Sequence, residues 1–306
     1  MLDLNHVADG VSFTSLVTAS GNGVWLNWNK PRGCSQVYMV AAGGAGGGGG
    51  GFTGAAATAR GGGSGGGAGM LAVAWVPAYF MPDVLYLQVG FGGLGGAAAS
   101  VGFAGSNSYV SVAPSSAQAN LYLTGQAGGA GNPGSATAGG AAGTGGGAIG
   151  IAGSSLSCCG LFTNLPGAPG GAGGAQTGAV GAVSSITLTG ALRGGCGGSG
   201  TTSADFAGSV VTPTGTQSAP TVFYDPYTQA AAPAGSTVTP FANMLLRPPI
   251  NMFYGWPGNG GASSNAATGG PGTDGSYGNG GGGGGGGVTG GAGGRGGDGF
   301  IFIWAW

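Results

Sequence analysis

Glutamate is absent from the 306-residue chain, and lysine and histidine occur once each, as Lys30 and His6. Six basic and seven acidic residues make the chain only 4% charged, with a formal net charge of −1, against about 25% charged residues in an ordinary globular domain. Without Glu and Lys there is little from which to build the exposed faces of helices, so helix is excluded as the main architecture. The few cations are scattered from Lys30 to Arg295, which gives no electrostatic footprint for nucleic acid. Long apolar runs are also missing. The longest, residues 70–81, is broken by Pro77 and falls short of the ~20 residues of a membrane span. The opening MLDLNHVADG has neither a cationic region nor an apolar core, so no secretory signal is expected and synthesis in the cytosol is.

Cysteine is scarce. Cys34, Cys158, Cys159 and Cys196 form no CxxC pair, which leaves zinc little support. The adjacent Cys158 and Cys159 would bridge each other only with strain, and small buried side chains are the expected reading. Catalytic groupings are equally thin. His6 lies near Asp3 and Asp9 with no serine singled out as a nucleophile, and a surface histidine explains it better than a Ser–His–Asp triad. Asp205 with Asp225, or Asp274 with Asp298, are the only carboxylate pairs worth weighing for glycoside hydrolysis. Turn chemistry accounts for their Asp-Pro and Asp-Gly contexts. GxGxxG matches carry no information in so glycine-rich a chain, and Lys30 follows no glycine loop, so no phosphate cradle is expected. The acidic spacing of a calcium loop is missing around Asp274 and Asp298. No cofactor or metal is expected, and no enzyme.

What the chain does have is glycine: 81 residues, where average usage of about 7% would give about 20. Disordered chains combine low hydrophobicity with high net charge. This chain is 42% hydrophobic, with a mean hydropathy of +0.26 and 12 Phe, 9 Tyr and 6 Trp. Apolar segments flank every glycine tract, so the tracts are expected to be ordered. Ordering them costs ~0.5–1 kcal/mol per glycine relative to alanine, and close backbone pairing or burial between identical subunits must offset it. An oligomer follows as an expectation, with a trimer favoured.

The apolar segments alternate as strands do: Val24-Trp25-Leu26-Asn27-Trp28, residues 36–40, 70–76 and 84–89. Short strands repeatedly open glycine tracts, as in LYLQVGFGGLGG from Leu85, LYLTGQAGGAG from Leu121 and ITLTGALRGGCGG from Ile186. The spacing is irregular, so a fixed-period solenoid is not indicated. The pattern fits an all-β scaffold, a β-sandwich or jelly roll, whose strands send glycine-rich excursions out from one end. Unbroken glycine at 46–51 and 280–287, without a strict Gly-X-Y period, excludes collagen and fits polyglycine-II-like extended chain. Four stretches are distinguished: 1–131, a β scaffold with the first excursion; 132–199, a Gly/Ala-rich insert; 200–254, rich in proline and aromatics; and 255–306, a glycine tract and a closing strand. The closing Phe300-Ile301-Phe302-Ile303-Trp304 is expected to be buried, since exposed it would be an aggregating edge.

Aromatic residues in the glycine-rich stretches are candidates for surface binding: Phe52, Phe103, Phe162, Tyr227, Tyr254 and Trp256, with Phe91, Tyr109 and Tyr277 beside them. Rigid rings on small-residue loops supply contact area cheaply. Packing against the glycine tracts or a neighbouring subunit explains them as well.

Trp28-Asn29-Lys30-Pro31-Arg32-Gly33, the strand 36–40 and the burst 43–51 resemble the start of glycine-rich bacteriophage tail-fibre and appendage domains. Ala59-Arg60-Gly61-Gly62-Gly63, the run 85–96, and Gly296-Gly297-Asp298-Gly299 before the final Trp-containing strand continue that resemblance in order. It covers residues 22–131 and 255–306, and residues 132–254 depart from it. The resemblance implies a structural protein of the virion, exposed on the particle, partnered by other virion proteins and by a host cell-surface receptor. It supplies no catalytic residue. A capsid decoration or head-fibre protein is the alternative, and a polyglycine-II ice-binding or secreted surface protein a third. Far-UV circular dichroism should show less than about a tenth helix, against roughly a third in an average domain; a larger helical signal would contradict the all-β reading.

Overall fold

The structure is a computed structural model that describes residues 13–18, 24–147, 161–182, 185–186, 192–213, 245–246, 253–254 and 256–306. The strands are β1 (Phe13–Thr18), β2 (Leu26–Asn29), β3 (Gln36–Ala42), β4 (Leu71–Pro77), β5 (Val84–Gln88), β6 (Ser108–Ser111), β7 (Leu121–Gly125), β8 (Leu161–Leu165), β9 (Ser185–Ile186), β10 (Thr212–Pro213), β11 (Leu245–Leu246), β12 (Phe253–Tyr254) and β13 (Phe300–Ala305). Helix among the described residues is confined to single 3-10 turns at Ala78–Phe80 and Gln118–Asn120. The chain is all-β.

Two antiparallel sheets, in the orders β1-β13-β3-β4-β8 and β2-β5-β6-β7, face each other. Alternate residues supply the core between them, as a strand period of two requires. Val37, Met39, Ala72, Val76, Ile301 and Ile303 of one sheet meet Leu85, Leu87, Val110 and Leu123 of the other, all at most 2% exposed. Each large side chain so buried contributes about 1.5–3 kcal/mol. The other face of β13 is covered as well: Phe300, Phe302 and Trp304 pack with Val40, Leu71 and Leu192, and Tyr277 sets its ring edge-on to Phe300 at 6.4 Å. Burial on both faces explains why this strand is a continuous apolar run without alternation. At the opposite end of the sheets the Lys-Pro-x-Gly turn closes. Lys30 donates to the carbonyls of Ala78 (3.1 Å) and Met81 (2.8 Å) and pairs with Asp83, while Gly33 takes the φ of +83° that the turn needs.

The glycine tracts leave the sandwich from one end: 43–70 joins β3 to β4, 89–107 joins β5 to β6, and further tracts follow β7 and β8 and precede β13. They assemble into a lattice of extended rods with a hydrogen-bond period of three, the repeat of a polyglycine-II helix. In the rod 43–52 every N–H is bonded at 2.8–3.1 Å. The amides of Gly46 and Gly49 donate to Gly67 and Ser64, those of Gly47 and Gly50 to Phe103 and Ser100, and those of Gly48 and Gly51 to Gly294 and Gly291. The carbonyls of 44, 47 and 50 accept from Gly128, Gly131 and Gly134, those of 45, 48 and 51 from Gly93, Gly96 and Ala99, and those of 46, 49 and 52 from Gly281, Gly284 and Gly287. The rod is therefore bonded to six neighbours. Rods 61–70 and 278–287 repeat the arrangement, and the three central rods bond to one another through pairs such as Gly63 to Gly284 and Gly281 to Gly46. At ~3.1 Å per residue the rod 43–52 spans about 31 Å.

Rods on the outside need glycine only where they face inward. Gly128, Gly131 and Gly134 are buried, as are Gly140, Gly143 and Gly146, whereas Ala138, Ala141, Ala142 and Thr144 between them are exposed. Proline marks the outward column. In 166–175 two of every three N–H groups donate into the lattice, and the third column is Pro166, Pro169, Ala172 and Ala175, all exposed. Pro271 sits likewise between the exposed Thr268 and Asp274. A residue with no N–H is tolerated where no neighbour can accept one, and it blunts an open edge. Residues 126–135 run as one rod across the 131/132 division, and β8 from the Gly/Ala-rich stretch closes the edge of the larger sheet.

A Cβ added at Gly283 would fall against the backbone carbonyl of Gly63, well inside van der Waals contact. Gly283→Val should therefore destabilise by about 3 kcal/mol or more, at the upper end of overpacking costs, or abolish folding. Ala141→Val, on an exposed column of an outer rod, should stay within about 0.5 kcal/mol of the parent. Thermal denaturation of the two variants checks the contrast.

Candidate functional site

Because each rod is anchored at the sandwich end, the turns between rods collect at the far end of the bundle: residues 53–60, 97–101, 135–138, 175–179, 201–206, 264–269 and 287–290. Most of their exposed side chains are small, among them Thr53, Thr58, Ala136, Thr137, Thr177, Ser203, Ala266, Thr268 and Thr289, with Val101 and Asp205 also exposed. Two alanines here hold positive φ, Ala57 at +57° and Ala99 at +54°, a conformation that costs roughly 1–2 kcal/mol outside glycine. The turns are thus fixed by their surroundings.

Arg60 does most of that fixing on one side of the end. It is wholly buried, the largest such side chain among the described residues. Its Nε donates to the Thr58 carbonyl (3.1 Å), and Nη2 donates to both the carbonyl and Oδ1 of Asn265 (2.9 Å each). The backbones of Arg60 and Thr201 exchange bonds in both directions, at 2.9 and 2.8 Å. Asn265 Oδ1 also accepts from the amide of Ala57 (3.0 Å), its Nδ2 donates to the Ser203 carbonyl, and its own amide donates to the Asp205 carboxylate. Burial pushes the Arg60 guanidinium below its ordinary value, and the nearby Asp205 carboxylate pulls it part of the way back. Nη1 is buried without a hydrogen-bond partner.

Only part of the expected aromatic set reaches this end. Phe52 is half-buried at the foot of the 53–60 turn, donating its amide to Gly61 (3.0 Å). Phe103 is exposed on the flank of the bundle, level with the exposed Leu94, whose carbonyl accepts from its amide at 2.9 Å. Phe162 turns inward on β8 and packs against the sandwich core. Trp256 is half-buried at the sandwich end, its amide donating to Ser276 Oγ at 2.5 Å. Tyr227 and the Tyr254 side chain lie outside the described residues. Among the described residues Phe52, Phe103, Phe162 and Trp256 stand at separate places in the fold. Tyr109 stacks on Trp25, with centroids 6.2 Å apart.

The tip network is carried by Arg60, Asn265 and Asp205, of which sequence reasoning placed only Arg60 in a motif and weighed Asp205 as a carboxylate. An isolated Arg between a Thr-rich turn and a glycine tract was the available signal. Asp274 and Asp298 flank Arg295: Asp274 accepts from its amide (2.7 Å), while Asp298 pairs with its guanidinium and accepts from the amide of Gly92 (2.8 Å). Asp225 and His6 lie outside the described residues. Cys196 is fully buried in a rod, and burial pushes the Cys34 thiol up against the opposing pull of Lys30. Among the described residues no three His, Cys, Asp or Glu side chains gather to hold a metal ion, and no helix is long and apolar enough to cross a membrane.

A second exposed surface lies at the opposite end of the molecule. Tyr79 is 91% exposed and stacks edge-on with Phe80 at 5.5 Å, and Leu161 and Trp75 stand exposed side by side on paired strands. No protein-family model matches the chain, and no curated protein matches it.

Proposed function

We propose that the chain is a structural component of a bacteriophage virion, made in the host cytoplasm and exposed on the particle, that acts by binding and without turnover. In this reading it belongs to a tail fibre or similar appendage, and the far-end loops of the glycine bundle meet the host cell surface. The observation that carries it is architectural. Every described glycine excursion leaves the same end of the sandwich, and a bundle whose central rods are hydrogen-bonded along their length carries the turns about 30 Å away from it. Such a stiff stalk with small, exposed loop side chains suits presentation of a contact surface. The order of motifs from Trp28 to Gly63 and from Gly296 to Trp306 supports the phage assignment. Tyr79, Phe80 and Leu161 at the other end suit attachment to further virion proteins. That same apolar end favours the second reading, a capsid decoration protein gripping the shell. Self-association as a trimer fits the sparsely charged flanks of the bundle.

Purified particles should contain the chain as a stoichiometric component. Ala56→Trp or Thr268→Trp, at exposed tip positions, should lower adsorption by about ten-fold or more, equivalent to ~1.4 kcal/mol, without changing the melting temperature. Tyr79→Ala should instead reduce incorporation. Absence from particles defeats the virion assignment, and fragile particles with normal adsorption favour the decoration protein.

A further inference from the structure

We infer that Arg60 is a positioning residue that welds three separate turns, 53–60, 201–206 and 264–268, into one preformed platform at the end of the bundle. The inference rests on the tip being the contact end. The three turns are far apart in sequence, and the first, 53–60, has few bonds of its own. Thr58 bonds back only to Ala55, and Ala57 is held at positive φ by the Asn265 side chain rather than by its own turn. Arg60 reaches all three: the Thr58 carbonyl, both oxygens of Asn265, and Thr201 through its backbone. Asn265 passes the connection on to Ser203 and Asp205.

A planar fork that donates to two oxygens of one residue while bonding a third elsewhere is a task for guanidinium; an ammonium lacks that geometry. The cost is a wholly buried cation whose Nη1, with two N–H groups, has no hydrogen-bond partner. Replacing buried ionic groups by apolar side chains of similar size is often neutral or stabilising when no buried partner is left unpaired, and here the acceptors, Thr58 and Asn265, are exposed and half-buried, where water can replace the guanidinium. Self-closing bonds occur in the linked turns too, from Thr201 Oγ1 to the Ala204 carbonyl and from the Ala267 amide to Ser264 Oγ; what sets 97–101 and 135–138 apart is that they close through Ser100 to Ala97 and through the Ser135 hydroxyl and receive nothing from the Arg60 side chain.

The test compares full-length parent, Arg60→Met and Arg60→Lys by melting temperature and by backbone amide order parameters. In Arg60→Met the melting temperature should be held or raised. Order parameters in all three linked turns should fall together, from about 0.85 to below about 0.6, with 97–101 and 135–138 unchanged. Arg60→Lys should loosen the same three turns, because it keeps the charge and loses the fork. Should Arg60→Met fail to fold, Asn265→Ala removes the shared acceptor at an exposed-side position and should loosen the same set. Rigid turns in every variant would overturn the inference, as would loosening confined to 53–60 or loosening of all the tip turns with a falling melting temperature. Particles carrying Arg60→Met separate this inference from the reading beneath it. Loosened turns with at least ten-fold slower adsorption support both. Loosened turns with unchanged adsorption leave the positioning role standing and count against the tip as the contact end.

Discussion

Close approach of backbone to backbone is the constraint on which the molecule depends. In the three central rods almost every peptide group donates and accepts across the lattice, so each residue contributes about one bond, worth ~0.5–1.5 kcal/mol net. That is comparable to the ~0.5–1 kcal/mol that ordering a glycine costs relative to alanine. The two terms about offset each other. What makes the tracts glycine is therefore space: a Cβ at Gly48, Gly63 or Gly283 would collide with a neighbouring carbonyl. The sequence is glycine-rich because the rods must touch on six sides.

The sandwich completes what the rods cannot do alone. A single extended glycine segment has no nucleus and no internal bonds. Strands β3 and β4 fix the sandwich ends of the central rods 43–52 and 61–70 by register, with Ala42 paired to Leu71, and β13 fixes that of the adjoining rod 290–299, with Phe300 paired to Ala42. Aromatic residues from the bundle side, Tyr277 above all, pack back onto β13. Exposed prolines close the outer surface to further rods, and Ser64 and Asn132 replace backbone bonds where a rod carries a side chain, with Ser64 Oγ donating to Ala141 at 2.6 Å.

Much of this was legible in the residues. The period-two segments at 36–40, 70–76 and 84–89 and the continuous apolar run from Phe300 are strands, and the placement of glycine tracts beside them gives a common end of departure. The lattice was harder to read because its rods obey two rules at once. Central rods use glycine at nearly every position, whereas outer rods use it at every third, as at Gly140, Gly143 and Gly146, so no one period runs through the sequence. Arg60 was hidden for a different reason. A lone arginine in a glycine tract gives no sign that Asn265, some 200 residues on, will receive it. Phe162 turns inward because it alternates on a strand, β8, that only the fold reveals.

Native-state hydrogen exchange of the glycine amides in 43–52, 61–70 and 278–287 tests the central claim most directly. If these rods form one bonded lattice, their amides should exchange only with global unfolding, as slowly as those of β3 and β13. Exchange of these amides at the rate of an unstructured chain, while the strands remain protected, would contradict it.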